Sequence, residues 1–353
     1  MNRPILTILP ASLALLGLFV FASCGAMWTK IKGICPSSCL CGAKESTLVV
    51  GFCSRENVHQ EQLSEQIDSF LSSNLTYRYL PNGKLEQLWI ISTPLTHVPR
   101  TVCRLTTIQT LMLSNSSLTR LPDNCLINLT ALTSLTVEFI RITKLQDRVF
   151  DGLHKLEYLY LHNDDITELQ DGIFEGLPML DRLYLVNNRI SSTGLRTFDG
   201  LSKLTALFLQ SNNISELQDG IFDKLPMLKT LALNNNRISS IGSRVFGGSA
   251  MTHSLTYVNL SYNSIQTLDS WPIYTGIYQT VKIELRYNNV SRFTNTLRWK
   301  ENCNMRRVHF DLLLDLNPIM MSISDLLRGW DTKLSSIWCR SPRIMTPNCA
   351  IIN

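Results

Sequence analysis

Between residues 85 and 293 the apolar and polar positions follow one recurring pattern, Leu-x-x-Leu-x-Leu-x-x-Asn-x-Leu-x-x-Leu, with other aliphatic residues in some leucine places. Copies start at Leu85, Ile108, Leu132, Leu156, Leu180, Leu204, Leu228 and Leu255, and a ninth, weaker copy carries Ile283, Leu285, Asn288, Val290 and Phe293. The steps between starts are 23, 24, 24, 24, 24, 24 and 27 residues. An aromatic late in the copy recurs every 24 residues at Phe150, Phe174, Phe198, Phe222 and Phe246. Such a period marks a stacked-repeat architecture, because one coil cannot bury its own leucines and becomes stable only between neighbours. The alternation inside each copy predicts a short strand, and successive strands then pair in parallel about 4.8 Å apart. The expected fold is α/β: a curved solenoid with a parallel β-sheet on its concave face and short helical turns or loops on its convex face. The phenylalanines are expected to fill the convex side of the shared core.

The asparagine slot reads Thr93, Ser116, Ile140, Asp164, Asn188, Asn212, Asn236, Asn263 and Asn288. A buried amide there satisfies backbone groups that the tight turn leaves unpaired. Ile140 has no such group, so an irregularity or a water-filled gap is expected near the third copy.

The ends change the picture. Residues 1–26 open with Arg3, run through an apolar stretch from Ala11 to Ala22 and finish in small residues, which is the pattern of a secretory signal peptide. The alternative is an uncleaved anchor, although Pro4 and Pro10 shorten the apolar core. No later apolar run of 18 residues follows, so no transmembrane segment is expected after signal cleavage, and the chain is expected to be secreted and extracellular. The ten cysteines then read as disulfide chemistry. The triplets at Asn74, Asn115, Asn128, Asn213, Asn259 and Asn289 are candidate glycosylation sites. The formal charge of +5 is modest and no run of like charge marks a nucleic-acid arm, so no nucleic-acid partner is expected.

With these repeats, and with Cys35-Pro-Ser-Ser-Cys39-Leu-Cys41 followed by Cys53, the chain resembles the extracellular leucine-rich-repeat proteins, among them Slit-like proteins, Toll-like ectodomains and variable lymphocyte receptors. The resemblance covers about residues 35 to 349 and implies four segments. These are a signal peptide over 1–26, a cysteine-rich N-terminal cap over 27–84, nine leucine-rich repeats over 85–293 and a degenerate C-terminal cap over 294–353. It also implies the pairs Cys35–Cys41 and Cys39–Cys53. Metal binding by these cysteines is the competing reading, disfavoured by export and by the spacing. In the C-terminal cap Asn317-Pro318, Trp330, Cys339 and Cys349 keep the family's order, but Met321 and Ile323 stand where a Cys-x-Cys belongs. Cys303 is left with Cys339 or Cys349 as its partner and one thiol over, which a disulfide-linked partner or an inert buried cysteine would equally explain. Leu63, Ile67, Phe70 and Leu71 are at helical spacing in residues 58–72, read as a packed cover on the first cap. Cys103 and Cys125 lie nearly one coil apart, and a bridge and two buried thiols both remain open.

In a parallel solenoid sheet the strand positions between leucines form rows on the concave face. The central row reads Trp89, Met112, Thr136, Tyr160, Tyr184, Phe208, Ala232, Asn259 and Glu284, with Tyr158, His162, Asp181, Arg182, Tyr257, Tyr262, Arg286 and Tyr287 in flanking rows. Tyrosine, tryptophan and arginine carry much of the energy at interfaces. The candidate ligand-binding residues are therefore Trp89, Met112, Tyr158, Tyr160, His162, Arg182, Tyr184 and Phe208. The plainer alternative is that the aromatics only pack against their cross-strand neighbours. No zinc-type histidine motif, nucleophile elbow or phosphate loop occurs, so neither an enzyme nor a cofactor is expected. Two function classes remain: a secreted module that captures a protein or glycan ligand, and a matrix component resembling the small leucine-rich proteoglycans.

Overall fold

The Leu-x-Leu centres become short strands in a computed structural model of the chain, which describes residues 29–31, 35–36, 38–44, 46–51, 60–73, 78, 80, 83–121, 125–242, 244–246, 254–268, 280–290, 292–293, 309–313 and 336–338. The chain divides into two compact units, residues 1–140 and 141–353. The expected signal peptide, Asn74, Cys53, Cys303, Cys339, Cys349 and Asn317-Pro318 lie outside the described residues.

In unit 1, β1 (Thr29–Lys30), β2 (Leu40–Lys44) and β3 (Thr47–Gly51) form an antiparallel cap. After α1 (Gln60–Ser72) come β4 (Gln87–Ile91), β5 (Thr110–Ser114) and β6 (Ser134–Glu138). From β3 onward these pair in parallel, so β3 covers the edge that the first repeat would otherwise leave open. The helix buries Leu63, Ile67, Phe70 and Leu71, the residues whose spacing predicted it. It is tied to the first repeat through Asp68, whose carboxylate accepts the Thr101 N–H at 2.8 Å and the Arg100 N–H at 3.3 Å. Cys35 and Cys41 are bridged, and Cys39 is also disulfide-bonded. Cys103 and Cys125 form a bridge with Cα atoms 4.7 Å apart, which decides between the two alternatives left by their spacing.

Unit 2 alternates inner and outer strands: β7 (Tyr158–His162), β8 (Glu168–Leu169), β9 (Arg182–Tyr184), β10 (Ser192–Thr193), β11 (Ala206–Phe208), β12 (Glu216–Leu217), β13 (Thr230–Ala232), β14 (Ser240–Ile241), β15 (Tyr257–Asn259), β16 (Thr267–Leu268), β17 (Thr280–Glu284) and β18 (Arg292–Phe293). The odd-numbered strands from β7 to β17 pair in parallel, in the register that aligns equivalent repeat positions. The same sheet continues through β19 (His309–Leu313) and β20 (Ser336–Trp338), beyond the last recognisable repeat.

Three devices hold unit 2 together. The leucines of each inner strand are buried, as at Leu183, Leu185, Leu207 and Leu209. Behind them Phe150, Phe174, Phe198, Phe222 and Phe246 are buried and stacked, with successive ring centroids 5.8, 6.3, 5.9 and 6.2 Å apart. The third device is the asparagine ladder. Asn212 Nδ2 donates to the Leu185 and Leu209 carbonyls at 2.8 and 3.0 Å, and its Oδ1 accepts the Ile190 N–H at 3.0 Å. Asn188, Asn236, Asn263 and Asn288 repeat this scheme, which leaves the turn's backbone satisfied without water.

The residue before each ladder slot is left-handed: Ser92, Asn115, Phe139, Asn163, Asn187, Ser211, Asn235, Tyr262 and Tyr287 have φ between 49° and 61°. At Ile140, where the ladder amide is missing, Arg141 is left-handed as well, and the division between the units follows directly.

The outer strands pair two by two, β8 with β10, β12 with β14 and β16 with β18. In the first two doublets an aspartate of one coil caps the next: Asp171 Oδ1 accepts the Arg196 N–H at 2.7 Å and Asp219 Oδ1 the Arg244 N–H at 3.0 Å. The two capping segments, Leu169-Gln170-Asp171-Gly172 and Leu217-Gln218-Asp219-Gly220, lie 48 residues apart.

Candidate functional site

The parallel register places the central row of unit 2 on one sheet face, Tyr160 beside Tyr184 and Tyr184 beside Phe208. Their rings are half-buried and stacked. The centroids are 4.5 and 4.4 Å apart and the planes lie within 14° and 9° of parallel. Strand spacing and ring thickness nearly coincide, so each ring covers the next and the stack offers its edges to solvent.

A polar border runs along the stack. The Arg182 guanidinium stands 5.8 Å from the centre of the Tyr158 ring and 3.4 Å from the Asp181 carboxylate. Its hydrogen bond with Tyr184 is the main cause that raises its pKa further, against the opposing effect of burial. Asp181 also accepts the Thr205 hydroxyl. Burial is the main cause that raises the Tyr160 hydroxyl above the ordinary tyrosine value.

Further along the sheet, Tyr257 lies under Lys282, whose Nζ is 5.5 Å from the ring centre and 2.6 Å from Glu284 Oε1. The Tyr257 hydroxyl accepts Asn259 Nδ2 at 3.2 Å. Burial first, then the charge of Glu284, push its pKa up to about 12. Tyr262 and Tyr287, at 50% and 45% exposure, stack with centroids 4.2 Å apart at the left-handed positions just past the strands.

Two expected ligand contacts do not face solvent. His162 is only 2% exposed, with its ring edge-on to Tyr160 at 6.1 Å. The row to which it belongs is the last strand position before the left-handed turn, where the chain bends inward; Val186 and Ser261 are buried there too. In unit 1 Met112 is 5% exposed, in one apolar cluster with Ile91 and with Val49 of β3, against which half-buried Trp89 packs. Tyr158, Tyr160, Tyr184 and Phe208 are half-buried and Arg182 is exposed, all in unit 2. The repeat pattern gave no warning of Glu138, a carboxylate buried in unit 1 that accepts the Ser114 hydroxyl at 2.9 Å.

Of the candidate glycosylation sites, Asn115, Asn128 and Asn289 are exposed and Asn213 is half-buried. Asn259 is half-buried with its amide engaged, since its Oδ1 also accepts the Ser261 N–H at 3.0 Å. Among the described residues no group of three or more His, Cys, Asp or Glu is placed to hold a metal, and no helix is long and apolar enough to cross a membrane.

The repeat, the parallel-sheet solenoid and the disulfide-bonded cap fit an extracellular leucine-rich-repeat protein. Residues 131–190, 156–214, 178–238 and 202–253 each match the leucine rich repeat family. No curated protein matches the sequence. Among solved structures, a chain of the Toll–Spatzle complex of Drosophila is similar, with a TM-score of 0.59, 23% identity, and coverage of 74% of this chain and 37% of that one. A chain of the TLR13–ssRNA13 complex is similar with a TM-score of 0.53, 21% identity, and coverage of 78% and 48%. This chain thus spans less than half the length of either, and likeness at such identity establishes the fold alone.

Proposed function

We propose that this chain is an extracellular, non-enzymatic recognition module that binds a protein partner on the open sheet face of unit 2. The observation that carries the reading is the row Tyr160, Tyr184 and Phe208: three stacked, half-buried rings bordered by Arg182 and Tyr158, outside the leucine core. Rigid aromatics beside an arginine lose little conformational freedom on binding and supply the kind of anchor that dominates interface energies. The N-terminal disulfides support an oxidising location. The likeness to chains from a Toll–Spatzle and a TLR13–ssRNA13 complex supports a binding role without choosing the ligand. Pairing of Arg182 with Asp181 and of Lys282 with Glu284 balances the charge of the site, which favours a protein partner over nucleic acid.

The test is a screen of arrayed extracellular proteins with the full chain and with its Tyr160→Ala/Tyr184→Ala/Phe208→Ala variant, both checked for folding by circular dichroism. Saturable binding to an array member that the variant lacks is the expected result. Equal binding by both proteins removes the sheet face from consideration.

A further inference from the structure

We propose that Ala232 floors a slot one ring thick, which accepts an aromatic side chain flanked by carboxylates from the protein partner. This rests on the reading that the sheet face of unit 2 binds a protein, and it specifies what that partner must present.

The central row places a ring on each of three consecutive strands and then stops. Phe208 on β11 pairs with Ala232 on β13, and Ala232 with Asn259 on β15. One face of the Phe208 ring is covered by Tyr184 at 4.4 Å. The other looks along the row over a methyl group, too short to cover it. From Phe208 to Asn259 is two strand spacings, about 9–10 Å. The rings of this row stack 4.4 to 4.5 Å apart, so one further ring fits between them. Ala232 is 7% exposed and so lies below the half-buried Phe208 and Asn259 on either side of it in the row. On the far side the Asn259 amide is tied along its own strand to the Tyr257 hydroxyl, and the Tyr257 ring carries Lys282 over its face. Ala206 and Thr230, paired across β11 and β13, extend the low floor toward Arg182.

Charge selects what surrounds the incoming ring. In the pairs Arg182–Asp181 and Lys282–Glu284 the cation is the more exposed member, at 50% against 33% and 46% against 14% of the side chain. Lys229, immediately before the strand that carries Ala232, is exposed as well. Cations therefore stand at the rim with their acids beneath, which complements Asp or Glu beside the anchor. Because the ladder's ring faces cover one another, the face of Phe208 over Ala232 is the place where a partner's ring continues the stack.

The probe is a phage-displayed random dodecapeptide library selected on the full chain. The peptides are then measured on Ala232→Phe, Ala232→Ser, Arg182→Glu/Lys282→Glu and the triple alanine variant. Enriched peptides are expected to share Phe, Tyr or Trp next to Asp or Glu. Ala232→Phe fills the slot from within, so it should weaken them about thirtyfold or more, as loss of an anchor does, while melting no lower than wild type. Ala232→Ser leaves the slot open and should bind within about threefold, and the charge reversal should weaken the acidic peptides about tenfold. Peptides without an aromatic, or full affinity in Ala232→Phe, would overturn the slot. If the triple alanine variant still loses binding in that case, the sheet-face reading survives; if it too binds fully, both fall. Should Ala232→Phe melt well below wild type, the charge reversal decides, and undiminished affinity there overturns the proposal. Tighter binding of an oligouridylate 12-mer than of any peptide overturns it also.

Discussion

The turn after each inner strand is held by single residues. A left-handed residue there is disfavoured for anything but glycine, asparagine or aspartate, yet the chain uses it once per repeat, at Tyr262 and Tyr287 with bulky side chains. The ladder amide offsets that cost by closing the turn's hydrogen bonds. Asn212→Leu keeps the size of the side chain but deprives the buried Leu185 carbonyl and Ile190 N–H of their partner. Two such losses at the usual penalty for a buried unsatisfied group predict destabilisation of about 3 kcal/mol. Urea denaturation measures it, and an unchanged midpoint would show that the ladder is dispensable.

At the scale of elements, the outer strands are organised in doublets and the aspartate caps join their members. A Cβ at residue 194 would overlap the Asp171 carboxylate that receives the Arg196 N–H. Gly194→Ala should therefore cost about 1–3 kcal/mol in thermal or chemical melts, the range for overpacking. In an Asp171→Ala background the same change should cost much less, and an additive double-mutant cycle would refute the linkage. The inner strands β15 and β17 carry a pH signature. Tyr257 titrates near 12 in the fold against 10.0 ordinarily, so the fold favours its neutral form. The stability this gives is fully present below pH 10 and is lost as pH rises through about 12. Tyr257→Phe should flatten the decline of stability over that window, and a superimposable alkaline profile would contradict the assignment.

At the scale of the molecule, what could be read in the sequence is what burial enforces. Leu183, Leu207 and Phe198 recur at a fixed period because every coil meets the same neighbours, so strands, register and the phenylalanine spine follow from spacing alone. The same register made the juxtaposition of Tyr160, Tyr184 and Phe208 legible. Alternation gives the direction of a side chain and not its exposure. Met112 is buried in a cluster with Ile91 and Trp89 that Val49, on a cap strand outside the repeat pattern, extends. His162 stands where the strand ends and alternation ceases to hold. The outer doublets escaped the 24-residue reading because their caps are the polar residues Asp171 and Asp219 rather than the leucines.

The central claim is that the aromatic row of unit 2 is the face a partner covers. Hydroxyl-radical footprinting of the full chain, free and saturated with a bound partner, tests it directly, because tyrosine and phenylalanine are labelled according to exposure. Protection of Tyr160, Tyr184 and Phe208 is the expected result, with the already buried Phe174 and Phe222 unchanged. Undiminished labelling of the three rings, with protection confined to the outer strands β8, β10, β12 and β14, would contradict it.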